Sequence, residues 1–365
     1  MVQLKNSLRF KNNNYLNLAF EQAKINLGST KSNPSVGCVV EKNGSIISAA
    51  HTSIHGRPHA EFNALNKNID FKKSNVYITL EPCSHYGLTP PCTDIIKKKK
   101  VAKVFFPLID LDKRSKNKSK SILKRNNILV KRIKNLSSLA NDFYKSYLLQ
   151  YTSKQPLVDS KIAISKDYYT KNLKKKWITN NFSRTRVHLI RSRYNCIIST
   201  SKTINADNSL LNCRIKGLEN KSPDVVIIDR FLKIKNKLQL FKNIGNRKIL
   251  VFTTSQNKKK INFLKKKGLK IYILKSLNNS KDYKFFFNEL KKLQYSRILV
   301  ETGLTFVNFL IKNKFLHNLF IFKSNNLLKK NGINYANNSQ IRSIRLINRI
   351  NVNLLGDNLY KIKLK

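Results

Sequence analysis

Pro58-His59-Ala60-Glu61, followed by Thr79-Leu80-Glu81-Pro82-Cys83 and then Pro90-Pro91-Cys92, sets one imidazole, two thiols and a separate carboxylate in order within 34 residues. An imidazole nitrogen and two thiolates are suitable ligands for tetrahedral zinc, and three protein ligands leave the fourth position open for water. Bound metal lowers the pKa of that water toward ~7. A neighbouring carboxylate that is not a ligand, here Glu61, can then carry protons from the water to a departing amino group. H-x-E with P-C-x-x-C is the signature of zinc nucleobase deaminases. In this chain eight residues, Ser84 to Pro91, separate the two cysteines. A lone His, Glu or Cys more often means a surface or core residue. The ordered set with its prolines carries the meaning.

The long spacing narrows the reading. Thr79-Leu80-Glu81-Pro82-Cys83-Ser84-His85-Tyr86-Gly87-Leu88-Thr89-Pro90-Pro91-Cys92 closely resembles the bacterial bifunctional riboflavin-biosynthesis deaminase/reductase family, RibD. Asn33-Pro34-Ser35-Val36-Gly37-Cys38 and Pro58-His59-Ala60-Glu61 match the same family in the same order. A tRNA adenosine deaminase or a cytidine deaminase more often has a short gap between its cysteines. The resemblance implies one zinc per chain on His59, Cys83 and Cys92, Glu61 as the catalytic proton carrier, and Asn33 as a pyrimidine contact. The implied substrate is a small phosphorylated pyrimidine.

A chain of 365 residues suggests two or three domains. Its five cysteines, at 38, 83, 92, 196 and 213, imply no disulfide framework and fit a reducing compartment. Met1 to Asn14 is polar and basic, unlike a signal peptide, and no stretch approaches the ~20 apolar residues of a membrane span. We therefore expect a cytoplasmic protein with no membrane partner. The net charge of +53 invites a nucleic-acid reading. Yet lysines occur nearly everywhere, in Lys97 to Lys100, Lys113 to Lys124, Lys174 to Lys176 and Lys258 to Lys267, alongside abundant Asn, Ile, Phe and Tyr. All of these residues have AT-rich codons, so an AT-biased genome accounts for the pattern, and no specific nucleic-acid partner is expected. A positive field would still favour phosphorylated substrates. A homo-oligomer is left open.

Periodicity predicts a helix over Tyr15 to Leu27 and two strands, Gly37 to Glu41 and Ser45 to Ala49, joined at Asn43-Gly44 as a hairpin. Pro58 suits the first turn of a helix carrying His59 and Glu61. Val76 to Leu80 reads as a strand, with Pro82-Cys83 opening a second helix; a short helix after Cys92 leads to a strand over Val101 to Phe106. Asn135 to Thr152 reads as a terminal helix and linker. From Pro156 the pattern alternates strand and helix through Leu157 to Ala163, Ser183 to Ser192, Cys196 to Ser199, Val225 to Asp229, Ile249 to Thr254, Ile271 to Leu274, Phe285 to Leu293, Ile298 to Glu301 and Thr305 to Ile311. That argues for a largely parallel sheet, with more strands at Leu319 to Lys323 and Leu359 to Leu364. No GxGxxG is present.

The resemblance continues here. Lys161-Ile162-Ala163-Ile164-Ser165-Lys166-Asp167, Trp177-Ile178-Thr179, Thr203 with Asp207-Asn208 and Arg214, and Glu301-Thr302-Gly303 match the family's second, NADPH-using reductase domain. The implied class is α/β: a cytidine-deaminase-like α/β/α domain over 1–150 followed by a dihydrofolate-reductase-like α/β domain over 155–365. Carried over residue by residue, the substrate contacts are Lys161, Lys175, Arg191, Leu211, Arg214 and Glu301. The NADPH contacts are Ile164, Trp177, Thr203, Asp207, Arg230, Gly303, Leu304 and Thr305. Arginine binds phosphate bidentately, which suits Arg191 and Arg214 to a phosphate tail. The implied activity is deamination of 2,5-diamino-6-(5-phosphoribosylamino)pyrimidin-4-one, then NADPH reduction of the ribosyl group to ribityl.

Some positions depart from the family. Leu88 stands where a cation is usual, the 110–119 loop has lost its D-P-x-P and glycines, Tyr168 replaces a glycine, and Arg230, Leu304 and Ser209 replace smaller or different turn residues. Two rivals follow: a deaminase with a decayed reductase half, and an RNA-base deaminase gripping RNA with its basic second domain.

Overall fold

The computed structural model describes residues 2–153, 155–333 and 340–365. The chain forms two compact units, Met1–Lys154 and Gln155–Lys365. The first begins with helix α1 (Val2–Ile25) and continues through β1 (Gly37–Lys42), β2 (Ser45–His51), α2 (Ala60–Leu65), β3 (Asn75–Ile78), α3 (Cys92–Lys98), β4 (Lys103–Phe106), α4 (Ser119–Lys124), β5 (Leu129–Arg132), α5 (Ser137–Phe143) and α6 (Lys145–Thr152). Its sheet runs β2-β1-β3-β4-β5, antiparallel on the β1 side and parallel from β3 to β5.

The hairpin forms where Asn43 and Gly44 both take left-handed φ, 54° and 86°, which lets Lys42 pair directly with Ser45. Side-chain alternation then feeds two cores. Cys38, Val40, Val76, Ile78, Val104 and Phe106 face one layer, while Val39, Tyr77 and Phe105 face Leu16 and Ala19 of α1. α1 starts well before Tyr15; its first half is Lys- and Asn-rich and shows no apolar period, so periodicity marks only its second half. Two expectations near the motif fail. Pro58 lies outside α2, whose first residue is Ala60, with His59 in extended conformation at the N-cap. Pro82-Cys83 opens no helix; that segment is loop, and the helix starts at Cys92. Prolines at 90 and 91 place the helix start at the second cysteine, since proline is tolerated at a helix start but not inside.

The second unit comprises β6 (Leu157–Ile164), β7 (Lys171–Asn172), α7 (Asn181–Arg191), β8 (Cys196–Thr200), α8 (Ser201–Asp207), β9 (Asp224–Ile228), β10 (Ile249–Thr253), α9 (Lys258–Lys266), β11 (Lys270–Ile273), α10 (Ser280–Lys292), β12 (Arg297–Val300), α11 (Leu304–Lys312), β13 (Asn318–Lys323), β14 (Gly332–Ile333), α12 (Gln340–Ser343) and β15 (Asn358–Lys363). Eight strands order as β11-β10-β9-β8-β12-β6-β13-β15, and only the β13–β15 pair is antiparallel. Both faces are buried: Cys196, Ile198, Val226, Phe252 and Val300 on one, Ile197, Val225, Ile227, Val251 and Leu299 on the other. This is why these strands read as continuous apolar runs. α8 and α9 were not expected from periodicity; α9 keeps only Ile261 and Leu264 buried among lysines. α10 begins earlier than expected, at an Asn279/Asp282 capping box. Among the described residues no helix is long and apolar enough to cross a membrane.

Strand β1 touches α1 at a position with no room for a side chain. A Cβ built on Gly37 would lie 1.8 Å from the Ala19 carbonyl oxygen. Gly37→Ala should therefore push α1 off the sheet and cost about 1–3 kcal/mol of stability in the first unit. Urea denaturation followed by tryptophan-independent far-UV dichroism measures this; an unchanged midpoint would mean that α1 packs differently.

Candidate active sites

In the first unit, α2 and α3 pack on one another, and each starts at a residue of the motif. His59 precedes α2 and Cys92 opens α3, so the packing brings the two together. Cys83 joins them through the loop that leads into α3: the Cys92 amide donates to Cys83 Sγ at 3.2 Å and the Thr93 amide to the Cys83 carbonyl at 3.2 Å. His59 Nδ1 lies 3.6 Å from Cys83 Sγ and 3.4 Å from Cys92 Sγ. The three ligand atoms all fall within 4.8 Å of one another. Hydrogen bonding from Cys92, with the His59 imidazole beside it, holds the Cys83 thiol far below its ordinary range, down to about 4. Cys92, sharing that charge and buried, is pushed up. A dication would thus meet two sulfur ligands whose remaining protons it can displace. Two soft sulfurs and one imidazole in this geometry fit zinc.

Glu61, on the first turn of α2, is buried at 3 % exposure. Burial pushes its carboxyl up to about 7, the Cys83 charge adds to this, and His59 opposes it. Asn33 reaches the segment before His59 by donating from Nδ2 to the Gly56 carbonyl at 2.9 Å.

The altered 110–119 loop is firmly fastened. Glu81, next to the Pro82-Cys83 pair, accepts from Ser119 Oγ at 2.7 Å and from the Asp110 and Asn117 amides at 3.2 Å. Ser115 Oγ contacts His85 Nδ1 at 2.7 Å and accepts from the Ser84 amide at 3.1 Å. Glu81, His85 and Ser115 were not singled out from sequence; the position of Glu81 and His85 inside the motif was the available signal.

In the second unit the residues singled out from sequence gather at the carboxyl ends of neighbouring parallel strands. Ile164 ends β6, Thr203 and Asp207 follow β8, Arg230 follows β9, and Glu301, Gly303, Leu304 and Thr305 follow β12. The strand order reverses between β8 and β12, the crevice where open α/β sheets bind ligands. Across that point the Gly303 amide donates to Thr203 Oγ1 at 3.3 Å. Gly303 is the N-cap of α11, with nothing within 4 Å of the place a Cβ would take and no side-chain cap. An exposed glycine and open helix amides suit a pyrophosphate, so the crevice fits a nicotinamide dinucleotide.

Beside it lies a buried ionic cluster. Arg191 donates from Nε to Glu301 Oε1 at 2.6 Å, from Nη2 to Oε2 at 2.9 Å, and from Nη1 to the Asn212 carbonyl at 3.0 Å. Lys161 Nζ stands 4.0 Å from Glu301 Oε2. Arg214 is exposed and touches Asn212 Oδ1 at 2.9 Å. Trp177 is 53 % exposed, with Lys176 and Arg184 over its ring at 5.3 and 5.2 Å. Lys175, Arg230 and Thr305 are exposed, whereas the side chains of Ile164, Leu211 and Leu304 lie in the core. Leu211 takes φ 51°, and its carbonyl accepts from Arg247 Nη1 at 2.8 Å. His188 was missed by sequence reasoning. Burial and the adjacent Arg191 push its imidazole down to about 4, and its Nδ1 meets the Asn212 carbonyl at 2.8 Å.

Burial alone would raise the Glu301 carboxyl, but Arg191 and Lys161 outweigh it and bring it to about 2. An unfolded glutamate titrates near ~4.3. The folded value is depressed, so this stabilisation is complete above about pH 4.3 and is lost as pH falls toward 2. Glu301→Gln should destabilise the second unit by about 3–5 kcal/mol at pH 7, because Arg191 is left buried without its partner. The gap to wild type should narrow between about pH 4 and pH 2. Urea midpoints of both proteins across this range check the sign; a gap constant with pH would remove the ion pair as its cause.

Residues 10–108 match the cytidine and deoxycytidylate deaminase zinc-binding region, and residues 156–328 match the RibD C-terminal domain. Riboflavin biosynthesis protein RibD of Actinobacillus pleuropneumoniae is 31% identical over 79% of this chain and 77% of its own length. The RibD of Aquifex aeolicus is 30% identical over 85% of each chain. A solved structure from Thermotoga maritima, a diaminohydroxyphosphoribosylaminopyrimidine deaminase/5-amino-6-(5-phosphoribosylamino)uracil reductase, superposes with a TM-score of 0.80 at 25% identity, covering 97% of this chain and 99% of that one. With likeness at this level running through both its deaminase and its reductase regions, the chain belongs to the RibD family of bifunctional riboflavin-biosynthesis enzymes.

Proposed function

We propose that residues 1–150 deaminate the diaminopyrimidine ribosyl phosphate and that residues 155–365 reduce the resulting aminouracil ribosyl phosphate. The observation that carries the first half is the convergence of His59 Nδ1, Cys83 Sγ and Cys92 Sγ within 4.8 Å beside the buried Glu61. These three side chains would hold one zinc. Bound there, the metal supplies Lewis acidity and makes water nucleophilic at neutral pH. Glu61 takes a proton at a carboxylate oxygen from the attacking water and delivers it to the departing amino group, which leaves as ammonia. Asn33 orients the pyrimidine.

In the second unit NADPH would lie across the β8/β12 crevice, against Thr203, Asp207 and Gly303, and supply the hydride. Arg191 is committed to Glu301 and to the Asn212 carbonyl, so its task is to fix Glu301 and, through it, Lys161. Lys161 polarises the ribosyl group at C1′. Arg214, exposed at the same edge, is the better-placed cation for the substrate phosphate. The intact Lys161–Arg191–Glu301 cluster favours a working reductase over a decayed one. Mass analysis of products decides the whole reading. Purified protein given the diaminopyrimidine ribosyl phosphate should form the aminouracil ribosyl phosphate alone, and its ribityl counterpart once NADPH is added.

Metal content follows directly. The purified protein should carry about one zinc per chain, and Cys83→Ser or Cys92→Ser should each lose most of it. Full retention in either variant, measured by atomic absorption, would remove that ligand from the set.

Glu61→Gln should keep the fold and the zinc but slow ammonia release by about 10²–10⁴-fold, because the amide cannot carry a proton. NADPH oxidation on supplied aminouracil substrate should continue in the same preparation. Near-normal ammonia release would assign the proton transfer to another group.

A further inference from the structure

Arg57 stands two residues before His59 and is half-buried. Its Nη1 donates to Thr89 Oγ1 at 3.0 Å and lies 3.5 Å from His59 Nε2. His59 turns Nδ1 toward both thiols, so Nε2 is the nitrogen facing away from the candidate metal position. An imidazole that gives its Nδ1 lone pair to a metal carries its hydrogen on Nε2. Arg57 and His59 are then two donors side by side, and neither can accept from the other. Among the described residues no carboxylate pairs with Arg57; the ion pairs of the first unit use Lys24, Lys42, Lys97 and Arg114. The tether is a neutral hydroxyl, so the guanidinium beside His59 has no carboxylate partner among the described residues. Thr89 belongs to the loop between the two cysteines, and its neighbour Leu88 is apolar and 87 % exposed. That loop therefore offers no charge of its own at 88. Arg57 brings one to it from the opposite side.

We infer that Arg57 recognises the phosphate monoester of the deaminase substrate. The inference rests on the substrate reading above and assigns that substrate's charged end to a residue. A guanidinium offers two parallel N–H donors matched to phosphate oxygens, and Thr89 presets its direction. The pyrimidine ring enters toward Glu61 while the ribosyl phosphate stays at the rim. Arg57 is thus a specificity-determining residue.

The test compares the diaminopyrimidine ribosyl phosphate with its phosphatase-treated riboside. The quantity read is the ratio of their kcat/KM values for ammonia release. Wild type should prefer the phosphorylated form. In Arg57→Gln that preference should fall by about 10- to 100-fold. Arg57→Lys should retain most of it, and Leu88→Lys added to Arg57→Gln should restore part by returning a cation beside Thr89. A preference unchanged in Arg57→Gln would overturn the assignment, as would equal losses on both substrates. Should Arg57→Gln fold poorly, the wild-type preference itself decides. It should weaken as salt rises from about 0.05 to about 0.5 M, and a flat profile would count against a charged contact. Wild type that deaminates neither substrate would overturn the substrate reading, and this inference with it.

Discussion

Three donor atoms from two distant segments must meet within 4.8 Å, and the packing of α2 against α3 is what makes them meet. Each helix is short, six and seven residues, and would not persist alone in water. The sheet beneath supplies the stability. Ala60, Ala64 and Leu65 of α2 and Ile96 of α3 are fully buried in the layer built on β1, β3 and β4. The distance between His59 and Cys92 is thus set by apolar packing. The distance to Cys83 is set by two backbone amides at the start of α3, one donating to the Cys83 sulfur and one to its carbonyl. Glu61 shares the burial of α2, and that burial sets its proton affinity.

The second unit obeys a different constraint. A parallel sheet buried on both faces leaves only the ends of its strands for chemistry. Ile164, Thr203, Asp207, Arg230, Glu301, Gly303, Leu304 and Thr305 sit at or beyond a strand's carboxyl end, whereas Lys161 lies within β6, Lys175 and Trp177 precede α7, Arg191 ends it, and Leu211 and Arg214 lie between α8 and β9. The cluster around Glu301 lets charges persist next to an apolar core, since each buried charge has a partner and hydrogen bonds.

The charge composition looks different in the folded protein than in the sequence. Against 72 basic residues stand 19 acids, and many of those acids hold backbone in place. Glu81 gathers the 110–119 loop. Asp167 accepts from the Leu328 and Lys329 amides, Asp229 from Lys233 and Ile234, and Asp357 from Asn180 and the Ser183 hydroxyl. Excess lysine on the surface is screened by salt and costs little. A carboxylate that accepts several backbone amides cannot be replaced by a lysine, because the amides would be left without an acceptor.

The fold class, the sheet-forming runs and the core positions were legible in the sequence, because side-chain alternation and continuous apolar runs follow directly from burial on one or two faces. So was the ordered set His59, Glu61, Cys83 and Cys92, since its chemistry dictates residue type. Helix ends near the motif were not: the extended backbone at His59 and the loop at Cys83 come from the neighbours they pack on. Nor were α8 and α9, whose few buried residues are hidden among polar ones. Only the tertiary structure decided that Arg191 belongs to Glu301, that Glu81 holds a loop about thirty residues away, and that Arg57 meets Thr89. These pairings join segments far apart in the chain, and no local pattern encodes which buried or half-buried charge will find which partner.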